Sequence, residues 1–332
     1  LHSTSRRQRQ MCIRDSNIMN KQTFLTLLAT FALLFSFTFS CNAKGKDKAK
    51  HVVFIGLDGW GAYSLPKADM PNVKKLMEDG SYTLKKRSAL PSSSAINWAS
   101  MFMGAGPELH GYTEWGSKTP ELPSRVLNKN GIFPTVFQLL RDARPEAEIG
   151  CLYEWEGIKY LVDTLSLNYH YHVADCNKTP KELGNMSSSY IKEKHPALVA
   201  ICFDGPDHTG HTEGHDTPAY YEKLKELDSY VGQIVQAVKD AGMLDDTIFI
   251  LTSDHGGIDK GHGGKTMQEM ETAFIISGKN IKKGLRFDDV SMMQYDVAST
   301  IARIFNLEQP QVWIGRPCLL YTSPSPRDRQ KS

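Results

Sequence analysis

Cysteine is scarce in this sequence, with six residues in a chain of 332. Three of them, Cys151, Cys176 and Cys202, lie in the central part of the chain. Cys151 and Cys176 could pair in an oxidising compartment, but a single candidate pair is a weak signal for a disulfide. Structural zinc sites are usually rich in cysteine, so this scarcity argues against a structural zinc domain.

Basic residues do not form a cluster, although the whole chain carries a net charge of +2. The excess comes from residues 1–16 and 318–332, which together hold seven basic and two acidic residues. Removing these five net positive charges changes the net charge from +2 to −3. Because a nucleic-acid-binding protein presents a clustered basic face, the sequence predicts no nucleic-acid-binding surface.

The two end segments also share a coding origin. One DNA segment, read in its two opposite orientations, can encode both MCIRDS (11–16) and CLLYT (318–322). A library-preparation adapter joined to both ends of a gene would produce this pair. We therefore expect residues 1–16 and 318–332 to be adapter-derived and leave them out of the fold prediction.

An apolar run from Phe24 to Phe39 follows a lysine, and no second run of that kind occurs. The run is short for a membrane span. Its charged start, apolar centre and small following residues predict a secretory signal peptide over 17–43. Cleavage could follow Ala43, or Cys41 could carry the lipid of a bacterial lipoprotein and so contact a membrane. The protein is predicted to be exported, to the periplasm or the extracellular space.

Apolar runs of strand length alternate with helical patterns over the remaining segment, 44–317. The runs lie at 51–58, 148–155, 197–204, 247–254 and 272–277, and the helical patterns at 70–80, 134–143, 218–242 and 291–305. Continuous hydrophobicity is typical of strands buried on both faces of a mainly parallel sheet. The alternation predicts one α/β domain, a three-layer sandwich with helices on both faces of the sheet. A loop-rich cap is expected over about 112–196.

Three of the predicted strands end in acidic residues. Asp58, Asp204 with Asp207, and Asp254 each follow an apolar run. Ligands of α/β folds bind beyond the carboxyl ends of the strands, so these acids are expected to share one site. For Asp58 alone, an Asp-Gly turn without a function is the alternative.

Histidine follows the second of these strand ends in FDGPDHTGH. Three residues separate Asp207 from His211, so a tight loop or a first helical turn can bring a carboxylate and an imidazole to one cation. His208 and His215 are nearby, but their context supports a ligand role less strongly. A surface histidine cluster is the alternative for this stretch alone.

The third strand end continues into the glycine-rich stretch LTSDHGGIDKGHGG. Asp254 and His255 end the strand, and His262 returns seven residues after His255. Glycine permits positive φ and close backbone approach, so this loop can fold over an ion. A solvated loop with incidental histidines is the alternative. The second strand also ends in an acid followed by histidine, and this likeness weakens that alternative.

A serine run precedes a short helical pattern in LPSSSAINWASMFMGAGPELHGY. The helix is predicted from Ala95 to Met103, with Gly104 ending it. A serine at a helix start is usually an N-cap. Beside a metal ion, however, its hydroxyl can ionise near neutral pH, and the helix N-terminus offers amides to an anion.

Four sets of motifs, taken in chain order, resemble those of the alkaline phosphatase superfamily. They are GLDGW, SAINWASMFMG with PELHGY, GPDHTGH, and SDHGG with GHGG. They are most similar to its type I phosphodiesterase and nucleotide pyrophosphatase branch, over nearly all of residues 51–305. The resemblance implies an alkaline-phosphatase-like fold, a site for two zinc ions or other divalent ions, and a serine or threonine nucleophile. It also implies a small phosphate ester as the substrate.

The resemblance implies roles for particular residues. One zinc ion would be bound by three side chains, Asp207, His211 and His262. The other would be bound by three more, Asp58, Asp254 and His255. The family spacing selects Ser94, rather than Ser92 or Ser93, as a nucleophile that also contacts metal. Asn97 matches the Asn three residues beyond the family's nucleophile.

One position departs from the family pattern. The diesterases resembled usually carry an Asn, just after the His-Gly pair, that helps bind a non-bridging phosphate oxygen. Trp115 stands at that position here. Oxyanion binding could then fall to Asn97, to the amides of Ser94 and Ala95, or to the metals alone.

The implied reaction is two-metal hydrolysis of a phosphoric diester or pyrophosphate, through a phosphoserine on Ser94. A phosphomonoesterase or a sulfatase are alternatives, but the sulfatase motif has an arginine that SSSAINW lacks. A catalytically inactive secreted binding protein on the same scaffold is a third alternative. Four tryptophans could stack on a base or a leaving group: Trp60, Trp98, Trp115 and Trp155. For any one of them, packing in the hydrophobic core is the more common role.

Overall fold

The computed structural model describes residues 48–174 and 179–318. Its centre is an eight-stranded sheet in the order β4-β3-β5-β1-β6-β7-β2-β8. The strands are β1 (His51–Leu57), β2 (Gly80–Arg87), β3 (Ile149–Tyr153), β4 (Tyr169–His172), β5 (Leu198–Phe203), β6 (Thr247–Thr252), β7 (Glu271–Gly278) and β8 (Leu285–Arg286). Among these described strands, β7 alone runs antiparallel to its neighbours, β6 and β2. The prediction of a mainly parallel sheet is confirmed.

Helices cover both faces of the sheet. They are α1 (Pro71–Glu78), α2 (Ser94–Met103), α3 (Pro107–His110), α4 (Val136–Ala143), α5 (Thr179–Lys194), α6 (Gly205–Glu213), α7 (Pro218–Asp240), α8 (Met267–Met270) and α9 (Asp296–Phe305). Apolar side chains of α1, α5 and α7 form the core on one face. Those of α2, α4 and α9 form the core on the other. The predicted three-layer sandwich is confirmed.

The central strand β1 shows why the strands lack polar alternation. Phe54 packs in the core beside α2 and α9, whereas its neighbours Val53 and Ile55 pack in the core beside α7. Successive side chains of a strand point to opposite faces, and here both faces are covered. Burial of each large apolar side chain stabilises the fold by about 1.5–3 kcal/mol.

Some elements were not predicted, and β2 is the clearest case. Its sequence ends in Lys85, Lys86 and Arg87, which read as a polar turn. Lys86 is nevertheless fully buried, and its ammonium donates to the Ser253 carbonyl (2.8 Å) and to the Gln294 side chain. These partners are 167 and 208 residues away in sequence, so local hydrophobicity could not reveal the strand.

The stretch 112–196, expected to be a loop-rich cap, divides into two parts. Residues from 112 to about 135 form loops. The rest supplies α4, β3, β4 and α5 to the sheet and its helical layers. Few apolar residues of α5 and β4 are buried, so their periodic pattern in the sequence is weak.

The predictions for the signal segment and for the cysteines fall partly outside the described residues. The signal segment 17–43, with Cys41, lies outside the described residues, and so does Cys176. Cys151 and Cys202 are buried in β3 and β5. No helix within 48–174 or 179–318 is long and apolar enough to cross a membrane.

The central strands bring their carboxyl ends to one edge of the sheet. Parallel pairing places Leu57 beside Phe203, and Gly56 beside Thr252. The residues that follow β1, β5 and β6 therefore emerge together. This arrangement is the reason that acids far apart in sequence share one site.

Candidate metal and catalytic centre

One group of potential metal ligands lies at the ends of β1 and β6. Asp58, Asp254 and His255 each offer a ligand atom, and these atoms lie within 4.8 Å of one another. The Nε2 atom of His255 is 3.5 Å from Oδ1 of Asp58 and 3.2 Å from Oδ2 of Asp254. All three side chains are buried.

A second group combines α6 with the glycine-rich turn after β6. The α6 helix brings His211 one turn beyond Asp207, with Nε2 of His211 at 3.1 Å from Oδ2 of Asp207. Nε2 of His262 approaches the same oxygen at 3.7 Å. The rings of His262 and His255 stack with centroids 3.8 Å apart, so the two groups adjoin.

Each of the three histidines has its Nδ1 atom held by a main-chain carbonyl. His255 pairs with Gly256 (2.8 Å), His211 with Lys260 (2.9 Å), and His262 with Ser92 (3.2 Å). A carbonyl can only accept, so each Nδ1 carries a proton and each Nε2 faces the carboxylates. When a ring is neutral, the lone pair of its Nε2 is available to a cation placed between the imidazoles and the carboxylates.

The carboxylates show the same need for positive charge. Burial, followed by repulsion from Asp254, raises the pKa of Asp58 well above its usual range. Burial, followed by repulsion from Asp207, raises the pKa of Asp254 to about 8. Burial opposes ionisation of Asp207 as well, but the hydrogen bond that protonated His211 donates from Nε2 outweighs it and lowers the pKa. The same hydrogen bond raises the pKa of His211 to about 9.

Three buried carboxylate oxygens have no hydrogen-bond partner: Asp58 Oδ1, Asp207 Oδ1 and Asp254 Oδ2. Buried polar atoms are normally satisfied, so the unpaired oxygens of Asp58 and Asp254 point to an ion. Carboxylate and imidazole donors suit zinc or a similar divalent ion. The two groups therefore fit the metals that the sequence resemblance implied.

Ser94 is the serine that reaches this centre. It is the first residue of α2, and its Oγ lies 3.2 Å from Nε2 of His255. The Ser92 hydroxyl instead donates to the Gly264 carbonyl, and Ser93 precedes the helix. Of the three adjacent serines, Ser94 is the one whose hydroxyl contacts a candidate ligand.

The structure gives Asn97 a different position from the one expected. Its side-chain oxygen accepts from the Ala89 amide, and its Nδ2 contacts the carbonyls of Ala89, Pro91 and Ser93. Both ends of the carboxamide are therefore engaged with the loop that carries the serines. The Asn97 side chain offers no donor to a substrate in this arrangement and instead shapes that loop.

The Ala95 amide is also engaged, because it donates to the Trp115 carbonyl at 3.1 Å. This contact attaches the segment after the His-Gly pair to the first turn of α2. The Trp115 side chain is 66% exposed, whereas Trp60 and Trp98 are fully buried and Trp155 is half-buried. Of the four candidate tryptophans, Trp115 is the one that can meet a substrate freely.

Trp98 was predicted as a stacking or core residue, and its polar contact was missed. Its indole Nε1 donates to Oδ2 of Asp58 at 2.9 Å. This bond occupies one carboxylate oxygen and leaves Oδ1 for the ion. A tryptophan within an apolar helix gives no signal of such a contact in a single sequence.

Replacing Trp98 by Phe should weaken the ion bound by the Asp58 group about 10-fold, because the partner that orients the carboxylate is lost. Competitive zinc titration measures the affinity. Trp60→Phe is the matched control, since Trp60 is equally buried and its Nε1 has no hydrogen-bond partner. Equal zinc affinities in both variants would show that the indole does not orient Asp58.

Comparisons with known proteins identify the family and the fold of the chain. The sequence model described as type I phosphodiesterase / nucleotide pyrophosphatase matches residues 52–274. A bis(5'-adenosyl)-triphosphatase from Mus musculus is 25% identical over 222 residues, which are 63% of this chain and 48% of that protein. The chain thus spans about half the length of this relative.

Two solved structures share the fold. One is murine ectonucleotide pyrophosphatase / phosphodiesterase 5, in an inactive form in complex with AMP. It is 15% identical to this chain with a TM-score of 0.63, and the match covers 80% of this chain and 96% of that one. A putative sulfatase from Bacteroides thetaiotaomicron is 14% identical with a TM-score of 0.69, covering 84% of this chain and 76% of that one. At these identities the likeness concerns the fold alone.

Proposed function

The chain belongs to the type I phosphodiesterase / nucleotide pyrophosphatase family, and we propose that it hydrolyses phosphoric diester or pyrophosphate bonds. The observation that carries this proposal is the position of one hydroxyl. Ser94 Oγ lies 3.2 Å from Nε2 of His255, where the two groups of candidate ligands adjoin. A nucleophile beside a two-metal site is what phosphoryl transfer needs.

Zinc is the metal that the donors favour. Asp207, His211 and His262 would hold one ion, and Asp58, Asp254 and His255 would hold the other. When bound, the two ions would supply Lewis-acid charge to the phosphoryl group and to the leaving oxygen. The stacked rings of His255 and His262 keep the two groups side by side.

The chain's own residues then carry the covalent step. Ser94 Oγ loses its proton to solvent and forms a bond to phosphorus, while the bond between phosphorus and the leaving oxygen breaks in line. The products are Ser94 esterified to the phosphoryl group, which keeps its remaining substituent, and a leaving oxygen that takes a proton from solvent to give a free alcohol or phosphate. Water then attacks phosphorus, and the Ser94 oxygen leaves and regains a proton. The carboxamide of Asn97 holds the loop from Ala89 to Ser93 in place throughout.

Charge balance supports a diester over a monoester. The centre contains three carboxylates, Asp58, Asp207 and Asp254, and its imidazoles would be neutral when they hold an ion. Against two divalent ions this would leave one net positive charge while Ser94 is protonated. A diester monoanion neutralises that charge, whereas a monoester or its transition state would need further cations. No lysine or arginine occurs in residues 88–104 around Ser94.

Trp115 is the proposed contact for a flat leaving group. Its carbonyl is bound to the Ala95 amide beside the nucleophile, and its ring is largely exposed. Glu121 organises the same loop by accepting from Thr113 and Ser117. An exposed indole on a loop held by such hydrogen bonds can stack on an aryl ring or a nucleobase.

Export is part of the proposal. Its support is the signal pattern predicted over 17–43, and lipid attachment at Cys41 is the alternative to simple cleavage. The substrate would then be a small phosphate ester met in the periplasm or outside the cell.

The test compares substrates that share one leaving group, on the zinc-loaded full chain. We expect kcat/KM for bis(4-nitrophenyl) phosphate to exceed that for 4-nitrophenyl phosphate and 4-nitrophenyl sulfate by at least about 10-fold, which corresponds to about 1.4 kcal/mol. Ser94→Ala provides the blank. A preference for the monoester or the sulfate would refute the diester assignment, and bound zinc without any turnover would favour the inactive binding protein.

A further inference from the structure

His215 is a buried side chain that the reaction described above does not use. It lies between α6 and α7, and its side chain is 0% exposed. Neither of its ring nitrogens has a hydrogen-bond partner. Since buried polar atoms are normally paired, two unpaired nitrogens on one ring require an explanation.

The ring faces one oxygen of a candidate metal ligand. Nε2 of His215 lies 3.8 Å from Oδ1 of Asp207, which is itself without a partner. The other oxygen, Oδ2, faces His211 at 3.1 Å and His262 at 3.7 Å. The two oxygens of Asp207 are thus divided between the candidate ligands and His215.

Two glycines leave the space for this ring. A Cβ atom added at Gly210 or at Gly257 would lie 2.2 Å from Nε2 of His215. Gly210 belongs to α6, and Gly257 belongs to the turn that follows His255. The imidazole is therefore enclosed by both ligand-bearing segments, with the Tyr220 ring at 5.3 Å closing another side.

The ring can supply the missing donor. An imidazole carries at least one N–H, and it can place that hydrogen on Nε2. The nitrogen and the oxygen are within about 1 Å of an ordinary hydrogen-bond distance, so a small rotation brings them together.

We propose that His215 is a positioning residue for Asp207: its Nε2–H donates to Oδ1 and thereby presents Oδ2 to the ion shared with His211 and His262. Metal-ligating carboxylates are commonly held by hydrogen bonds of this kind, and loss of such a bond costs about 10–100-fold in metal affinity. The proposal concerns metal binding and does not require that the substrate class proposed above is correct.

The test measures zinc affinity and the stability of the metal-free full chain in two variants. His215→Leu removes both nitrogens at similar size, and His215→Gln keeps an N–H at a similar reach. We expect the Leu variant to bind one of the two ions about 10–100-fold more weakly, with the other ion unchanged. The Gln variant should bind both ions within about 3-fold of the parent protein.

Stability separates positioning from a purely structural role. The parent chain buries an unpartnered imidazole, so the metal-free Leu variant should unfold at the same temperature or higher. Three results would overturn the proposal. The first is unchanged affinity for both ions in the Leu variant, and the second is loss of one ion in both variants, which would make His215 a direct ligand. The third is lower metal-free stability of the Leu variant together with weaker binding of both ions. Since none of these readouts is turnover, a failed diesterase assay would leave this test intact.

Discussion

Replacing Ser94 by Ala is expected to lower kcat for diester hydrolysis by roughly 10³-fold or more, because no other hydroxyl takes its place. Ser92 is bonded to the Gly264 carbonyl, and Ser93 lies outside the helix start. The substitution removes one oxygen at the first residue of α2, where alanine is a good helix former, so the fold should persist.

The experiment measures single-turnover and steady-state rates. It also measures the zinc content and the phosphoserine trapped by acid quench. Ser93→Ala is the matched control, since it is an adjacent serine of similar burial with no hydrogen bond to the helix from its side chain. It should retain activity within a few-fold. A Ser94→Ala protein that keeps two zinc ions and most of its activity would remove Ser94 from the reaction.

Removing one ligand from each group is expected to remove one ion at a time. Asp254→Asn and His211→Gln should each lower the zinc content from two ions to about one, and the combined variant should bind neither tightly. Activity should fall by roughly 10²-fold or more in each single variant, because a one-metal centre loses one of the two charges that stabilise the transferring group.

The two substitutions were chosen so that the fold is preserved. The amide oxygen of Asn at 254 can still accept from the Gly59 amide, which Asp254 Oδ1 does at 3.1 Å. The His211 side chain is 46% exposed, so its replacement disturbs little packing. Measured metal content after gel filtration, with chelator-treated parent protein as the zero point, gives the stoichiometry.

His208→Gln is the control for His211→Gln, because both histidines lie in α6 but His208 belongs to neither ligand group. It should keep two ions and full activity. If Asp254→Asn and His211→Gln each lost both ions, the two groups would form one inseparable site. If neither lost any, the convergence of these side chains would be unrelated to metal.

The amino-acid sequence alone predicts the central strands of the sheet and the place of the candidate metal ligands. Continuous apolar runs at 51–58, 197–204 and 247–254 indicated buried parallel strands, and parallel strands end at the same edge. Acids at those ends therefore converge, and Asp58, Asp207 and Asp254 do so. The local turns that return His211 and His262 to these acids are short enough to read from spacing.

Contacts between segments far apart in sequence hold each candidate ligand in place. The carbonyl that accepts from Nδ1 of His211 is 49 residues away, and the indole that donates to Asp58 is 40 residues away. The role of Asn97, the buried Lys86 and the enclosed ring of His215 depend likewise on contacts between separate segments. A hydrogen bond needs atoms about 3 Å apart in a defined direction. Residue order alone predicts such a contact only between residues that are a few positions apart, in one turn of a helix or one tight turn.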